Sequence, residues 1–80
     1  MDADATLDAI GVYCPVPIIL TTEKMNELKI GQTLEVLADD PDILEDLPNW
    51  CKRSGTRFLK LEREDGFYKL YVRKGNEEDK

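Results

Sequence analysis

Every predicted β-strand of this 80-residue chain carries apolar side chains on one face and largely polar side chains on the other. In residues 33–38, for example, Leu34, Val36 and Ala38 share one face. A sheet of such strands can bury only its apolar face, so helices must cover that side and water the other. This constraint predicts a two-layer α/β sandwich of the α+β class, with both helices on one face of the sheet.

Turn residues divide the chain into six elements in the order βαβαββ. Pro15 and Pro17 suit the first turn of a helix, where backbone N–H groups lack helical partners, and Gly31 is expected to end that helix. Asp65 and Gly66 are typical of a two-residue hairpin turn. The predicted elements are a strand at 5–9, a helix at 15–30, a strand at 33–38, a helix at 41–54, and strands at 56–64 and 67–73.

Helical spacing predicts which side chains of the two helices face the sheet. Asp40 is expected to cap the second helix before Pro41, and Pro48 to kink or restart it. Gly55 is expected to end it. The first buried stripe comprises Ile18, Thr22, Met25 and Lys29, extended by Leu28 and Ile30; the second comprises Ile43, Leu47, Trp50 and Cys51.

Strict alternation along the hairpin predicts a modest apolar patch on the open face of the sheet. Leu59 and Leu61 are expected to share one face, and Phe58 to lie on the other. There Phe58 would join Leu37 and Tyr71. The charged residues around them are expected to be solvated, with partner docking or weak nucleic-acid contact as the alternatives. These residues are Arg57, Lys60, Arg63, Lys69 and Arg73.

The charged residues and the cysteines exclude several classes of function. The chain has no histidine, two cysteines and a formal charge of −6, from 11 basic and 17 acidic residues. Imidazole-based catalysis and imidazole metal sites are therefore excluded, and two thiols cannot complete a four-thiolate zinc site. The acidic balance argues against nucleic acid as a direct, stable partner. We expect neither a metal nor a cofactor.

No stretch of the sequence predicts a signal peptide or a membrane span. The longest apolar run is residues 18–20. Two unevenly spaced cysteines do not resemble the disulfide framework of a small secreted protein. We therefore expect a cytoplasmic protein without membrane contact, made of a single domain over residues 1–80 with short polar tails at 1–4 and 75–80.

The segment Cys14-Pro15-Val16-Pro17 carries the candidate chemistry. If Pro15 is the first helical residue, Cys14 is the N-cap, where the helix field favours the thiolate over the thiol. Pro17 lacks an N–H, which leaves the Val16 N–H as the cap-side donor. The prolines and the preceding Gly11 would hold the sulfur outward in a rigid turn. The alternative is that Cys14 is a small buried residue of that turn.

These residues resemble the signature of the TusA/SirA-like sulfur-carrier family, over residues 6–74. The resemblance implies a four-stranded mixed sheet and a persulfide carried on Cys14, with Gly11, Pro15, Val16 and Pro17 in support. Besides that motif, the matching residues are Leu7-Asp8-Ala9, Gly31, Ala38-Asp39-Asp40-Pro41, Asp46-Leu47-Pro48, Trp50-Cys51, Ser54-Gly55 and the closing hairpin.

The resemblance also implies partners. A cysteine desulfurase or a rhodanese-like protein would load Cys14, and a downstream sulfur-relay protein with an acceptor cysteine would unload it, as in tRNA 2-thiouridine synthesis. The chain would act as a sulfurtransferase-type carrier rather than as a multiple-turnover enzyme on its own. Two departures bear on partner choice: Val16 stands where many members carry a glutamate or another polar residue, and Thr56-Arg57 replaces a polar pair that often includes histidine.

Several alternatives stay open at the level of sequence. The same carrier chemistry would also serve sulfur oxidation, thiosulfate use or cofactor biosynthesis. A thiol redox protein is disfavoured by the lack of a C-x-x-C pair, and a non-catalytic adaptor or regulatory module leaves the rigid cap cysteine unexplained. Cys51 is expected to be a core residue, the alternative being a resolving thiol. Asp39 and Asp40 are expected to form a turn and a helix cap, in preference to a metal or acid–base pair.

Overall fold

A computed structural model describes residues 3–13 and 16–75. The chain forms a four-stranded mixed sheet in the order β1-β2-β4-β3, in which β1 and β2 are parallel and the other neighbours antiparallel. The predicted βαβαββ order and the α+β class are confirmed. The elements are β1 (Ala5–Ala9), α1 (Val16–Glu27), β2 (Thr33–Ala38), α2 (Ile43–Ser54), β3 (Arg57–Glu64) and β4 (Phe67–Arg73).

One face of the sheet forms the hydrophobic core together with both helices. The alternating residues of the central strands β2 and β4 are sealed from solvent, and each helix buries its own stripe against them. Each fully buried aliphatic side chain contributes about 1.5–3 kcal/mol relative to an exposed one. The core residues are Ala9, Met25, Leu34, Val36, Ala38, Ile43, Leu47, Cys51, Leu70 and Val72.

Helix α1 differs from its prediction in both its end and its buried face. It ends at Glu27, and its buried residues are Pro17, Thr21 and Met25, whereas Thr22 is exposed. The stripe is therefore shifted by one position at its centre, because the Thr21 hydroxyl donates to the Pro17 carbonyl at 2.7 Å and can be buried without an unmet hydrogen bond.

Helix α1 ends before the predicted residue 30 because residues 28–31 form a turn instead of a last helical turn. The Lys29 N–H donates to the Gln32 side chain at 2.7 Å, and the Gly31 N–H donates to the Lys74 carbonyl at 2.9 Å. Leu28 still packs against the core, but Lys29 and Ile30 are exposed. Their predicted places in the buried stripe were wrong.

Helix α2 begins at Ile43, two residues after the predicted start at Pro41. The carboxylate of Asp40 accepts the Asp42 N–H at 3.1 Å, so it closes a turn that leads into the helix. The helix is one continuous element through Pro48, so the predicted restart does not occur. Gly55 ends it in the left-handed conformation, as predicted.

A register shift in β3 reverses the predicted position of Phe58. Phe58 lies opposite Val72, but Lys60 lies opposite Tyr71, so an extra residue is accommodated between them. Phe58 consequently packs against the core, as Leu61 does, and the predicted open-face patch loses one of its three members.

The open face carries a hydrogen-bonded network that crosses all four strands. Tyr71 of β4 donates to Glu35 of β2 at 2.7 Å and contacts Glu62 of β3 at 3.4 Å. Thr6 of β1 donates to Glu35 at 3.2 Å, and Lys60 pairs with Glu62 at 2.8 Å. Tyr71 is only 3% exposed although it lies opposite the helices. The open face is thus ordered by polar contacts.

These contacts shift the pKa values of two side chains in opposite directions. The hydrogen bond with Glu35 is the main cause that raises the pKa of the Tyr71 hydroxyl well above its usual range, with burial adding to it. The hydrogen bond from Lys60 is the main cause that lowers the pKa of the Glu62 carboxyl. Tyr71 therefore acts as a hydrogen-bond donor between two carboxylates.

We expect Tyr71→Phe to lower the free energy of unfolding at pH 7 by about 1 kcal/mol, because hydrogen bonds to carboxylates are lost. Above about pH 10 the tyrosine loses its proton in the unfolded chain but keeps it in the folded one, so the wild type loses this stability. The difference in unfolding free energy between the wild type and Tyr71→Phe should therefore narrow. Urea denaturation at both pH values measures it. Tyr68→Phe is the matched control, since its hydroxyl makes no hydrogen bond within the described residues. A difference in unfolding free energy that stays constant with pH would contradict the role of Tyr71 as a donor to the two carboxylates.

Candidate functional site

The β1–α1 loop that leads to Cys14 lies at the carboxyl ends of the two parallel strands. Ala9 pairs with Ala38 at the end of β1 and β2, so the loops that follow them start side by side. The Gly11 N–H donates to the Asp39 carboxylate at 3.0 Å across this gap. The loop is therefore anchored by a residue distant in sequence.

The backbone of this loop requires a glycine at position 11. Gly11 has φ +87°, a left-handed conformation that costs other residues about 1–2 kcal/mol. The Asp8 carboxylate accepts the Ile10 N–H at 3.0 Å and holds the residue before it. This geometry gives a physical reason for Gly11, which the sequence identified only as a motif residue.

Two of the predicted site residues, Cys14 and Pro15, lie outside the described residues, so their roles as nucleophile and first helical residue stay predictions. The other two motif residues open α1: Val16 is its first residue, and Pro17 is buried in its first turn. The first turn of α1 contains no acidic residue. That turn therefore holds no negative side chain that would repel a thiolate at position 14.

The Val16 N–H is already engaged. It donates to the Tyr13 carbonyl at 2.9 Å. The sequence predicted that this N–H serves the Cys14 sulfur; because Cys14 lies outside the described residues, that part stays a prediction. The helix field would stabilise a thiolate at position 14 by about 0.3–1 kcal/mol at an exposed site.

Cys51 lies in the core, as its spacing in α2 predicts. It is 3% exposed and packs within the buried cluster. Burial raises the pKa of the Cys51 thiol to about 12. A thiol that does not ionise at neutral pH is neither a nucleophile nor a resolving partner.

Asp39 is a site residue that sequence reasoning missed, since it was expected only to belong to a turn. The signal that could have found it is the parallel pairing of β1 and β2, which brings the loops after both strands together. Asp40 is buried beside it and closes the turn before α2. Within residues 3–13 and 16–75, no three acidic or cysteine side chains are grouped so that they could hold a metal ion.

We expect Asp39→Ala to lower the free energy of unfolding by about 1 kcal/mol and to speed hydrogen exchange at the Gly11 amide, because the loop loses its anchor. Asp39→Asn keeps an acceptor oxygen at that position and should restore most of the protection. Equal Gly11 exchange in Asp39→Ala and the wild type would contradict the anchoring role.

We expect one thiol per chain to react with a disulfide reagent in the folded protein, and both to react after unfolding. The reactive thiol should be Cys14, so folded Cys14→Ser should not react while folded Cys51→Ala reacts like the wild type. A reaction of Cys51 in folded Cys14→Ser as fast as in the unfolded chain would contradict its burial.

No helix in the two described stretches is long and apolar enough to cross a membrane.

Two curated proteins illustrate the sequence similarity of this chain to known proteins. A protein of Aquifex aeolicus strain VF5 is 42% identical over 74 residues, covering 92% of this chain and 38% of that protein, so the chain spans about two fifths of this relative. Sulfur carrier protein TusA of Pseudomonas syringae pv. syringae strain B728a is 34% identical over 74 residues, covering 92% and 88%.

A solved structure agrees in fold with the chain. The crystal structure of a SirA-like protein from Desulfitobacterium hafniense matches with a TM-score of 0.77 and 27% identity, covering 90% of this chain and 99% of that one. The family model described as sulfurtransferase TusA matches residues 5–74, which include both helices and all four strands. The chain belongs to the TusA family, as its Cys14-Pro15-Val16-Pro17 motif indicated.

Proposed function

We propose that this protein is a sulfur carrier, which accepts sulfane sulfur as a persulfide on Cys14 and passes it to another sulfur-relay protein. The observation that carries the proposal is the contrast between the two cysteines. Cys51 is sealed in the core with its pKa raised to about 12, so Cys14 is the thiol left for chemistry in a chain with two cysteines. Membership of the TusA family and the intact C-P-x-P motif support the same residue.

The proposed transfer follows thiol–disulfide exchange. The Cys14 thiolate attacks the terminal sulfur of the donor persulfide, a new S–S bond forms at Cys14, and the bond to the donor's inner sulfur breaks. The donor leaves as a thiolate, so no oxidant or reductant is consumed. The acceptor thiolate then attacks the same terminal sulfur and releases Cys14. The chain needs no general base, which agrees with its lack of histidine.

Docking supplies most of the rate in this proposal. The helix field gives Cys14 only about 0.3–1 kcal/mol, whereas alignment of two reacting groups can supply several kcal/mol. We therefore propose a carrier that works between proteins, a cysteine desulfurase or rhodanese-like donor and a downstream acceptor with its own cysteine, and not an enzyme that turns over alone.

Mass spectrometry tests the carrier chemistry. After incubation with a cysteine desulfurase and L-cysteine, or with a rhodanese-like protein and thiosulfate, we expect the intact chain to gain one sulfur atom. Cys51→Ala, the matched control, should gain it equally, and Cys14→Ser should not. The same gain in Cys14→Ser, or no gain in the wild type with either donor, would refute the proposal. A disulfide-linked product in place of a persulfide would favour a thiol redox protein.

The pathway that this carrier serves is a separate part of the proposal. We favour delivery of sulfur to tRNA 2-thiouridine synthesis in the cytoplasm, with tRNA held by a later protein, because an overall charge of −6 opposes direct phosphate binding. Loss of 2-thiouridine in a deletion strain, restored by the wild type and not by Cys14→Ser, would support it. Unchanged 2-thiouridine would instead favour sulfur oxidation, thiosulfate use or cofactor biosynthesis.

A further inference from the structure

Four of the five large apolar side chains that are exposed in the described residues flank position 14. Tyr13 is 73% exposed, Ile19 52%, Ile10 43% and Val16 42%. The fifth, Ile30, lies in the turn beyond the other end of α1. Exposed apolar side chains gathered in one place indicate a contact surface, whereas scattered ones need no explanation. We refer to Ile10, Tyr13, Val16 and Ile19 as the apolar collar.

The fold does not require the apolar collar. All four members are exposed and none belongs to the buried core, whereas their neighbours Val12 and Ile18 pack against that core. The loop and the first turns of α1 therefore present one set of apolar side chains to the sheet and a second set to the outside. Exposure of this second set costs hydration free energy that nothing within the fold offsets.

The segments that carry the apolar collar contain acidic residues and no basic ones. Residues 3–23 and 30–51, which form β1, β2 and most of both helices, contain no lysine or arginine. The carboxylates of Asp8 and Asp39 accept backbone N–H groups of the collar loop, and Glu23 lies one turn beyond Ile19. A partner that approaches this surface meets an apolar centre with an acidic border on the loops and helix turns that carry it.

We propose that the apolar collar is the docking surface for the proteins that exchange sulfur with Cys14, and that these proteins present an apolar patch bordered by lysine and arginine. The inference rests on the proposed carrier function. Tyr13 precedes Cys14 directly and Val16 follows it by two residues, so a protein that reaches the sulfur comes close to these members of the collar. Donor and acceptor therefore occupy the same surface in turn. A second copy of the chain is the poorer occupant, because two acidic borders would face each other.

The size of the apolar collar fits a transient complex. Four side chains form a small apolar centre, well below the area of permanent interfaces. Charge complementarity then raises the association rate while leaving dissociation fast. A carrier needs this combination, since it must leave each partner after every transfer.

Sulfur transfer kinetics test the proposal with matched variants. The donors are a cysteine desulfurase with L-cysteine and a rhodanese-like protein with thiosulfate, and the acceptor is wild type, Ile19→Ser, Tyr13→Ser or Ile30→Ser. We expect both collar variants to lower kcat/KM about tenfold, mainly through KM, as for the loss of a central interface contact. Ile30→Ser removes an equally exposed isoleucine outside the collar and should stay close to the wild type.

Two further measurements separate docking from chemistry. Inorganic polysulfide needs no protein surface, so we expect it to load Cys14 at the same rate in all four proteins, while buried Cys51 stays unloaded as long as a variant is folded. Raising the ionic strength from about 0.01 M to about 0.15 M shortens the screening length from about 30 Å to about 8 Å and should slow protein-mediated loading but not polysulfide loading.

The outcomes distinguish this inference from the carrier function. If the wild type receives sulfur and the collar variants receive it equally well, the docking surface is wrong and the carrier function stands. If neither donor loads the wild type, the carrier function fails. A wild-type dimer in light scattering that Ile19→Ser dissociates would overturn the inference in favour of self-association.

Discussion

The parallel pairing of β1 with β2 is the constraint on which the site depends. Parallel strands end at the same edge of a sheet, so the loop that leads to Cys14 and the loop that contains Asp39 meet there. The bond from the Gly11 N–H to Asp39 joins them at 3.0 Å. At the other end of the pair, Asp4 and Thr33 exchange two hydrogen bonds of 2.8 Å, which hold the same register.

The sheet faces are stabilised by different kinds of contact. The helix side is a sealed apolar core that includes Cys51, and the open side is crossed by a polar network centred on Tyr71. A strand that buries one face in this way cannot slip by one residue without exposing its core set. This rigidity benefits a carrier, because the position of its reactive turn depends on the scaffold beneath it.

The sulfur chemistry proposed for this chain depends little on activation within the chain. There is no histidine, the Val16 N–H is engaged by Tyr13, and the second thiol is buried in the core. What the surface offers is a set of exposed apolar side chains around position 14 within an acidic border. In such a carrier, specificity and rate depend on the fit with each partner more than on the reactivity of the thiol.

The sequence alone determined the order of elements, the one-sided core and the C-P-x-P motif, because these depend on local periodicity and turn residues. Only the tertiary structure decided the buried face of α1, the inward position of Phe58 and the contact of Gly11 with Asp39. Thr21 is buried because a backbone carbonyl is within reach, and Phe58 turns inward because β3 accommodates an extra residue against β4. The Gly11–Asp39 contact and the β3–β4 register join separate elements that only the whole fold brings together, and the buried face of α1 depends on how the helix packs on the sheet, so local periodicity does not encode them.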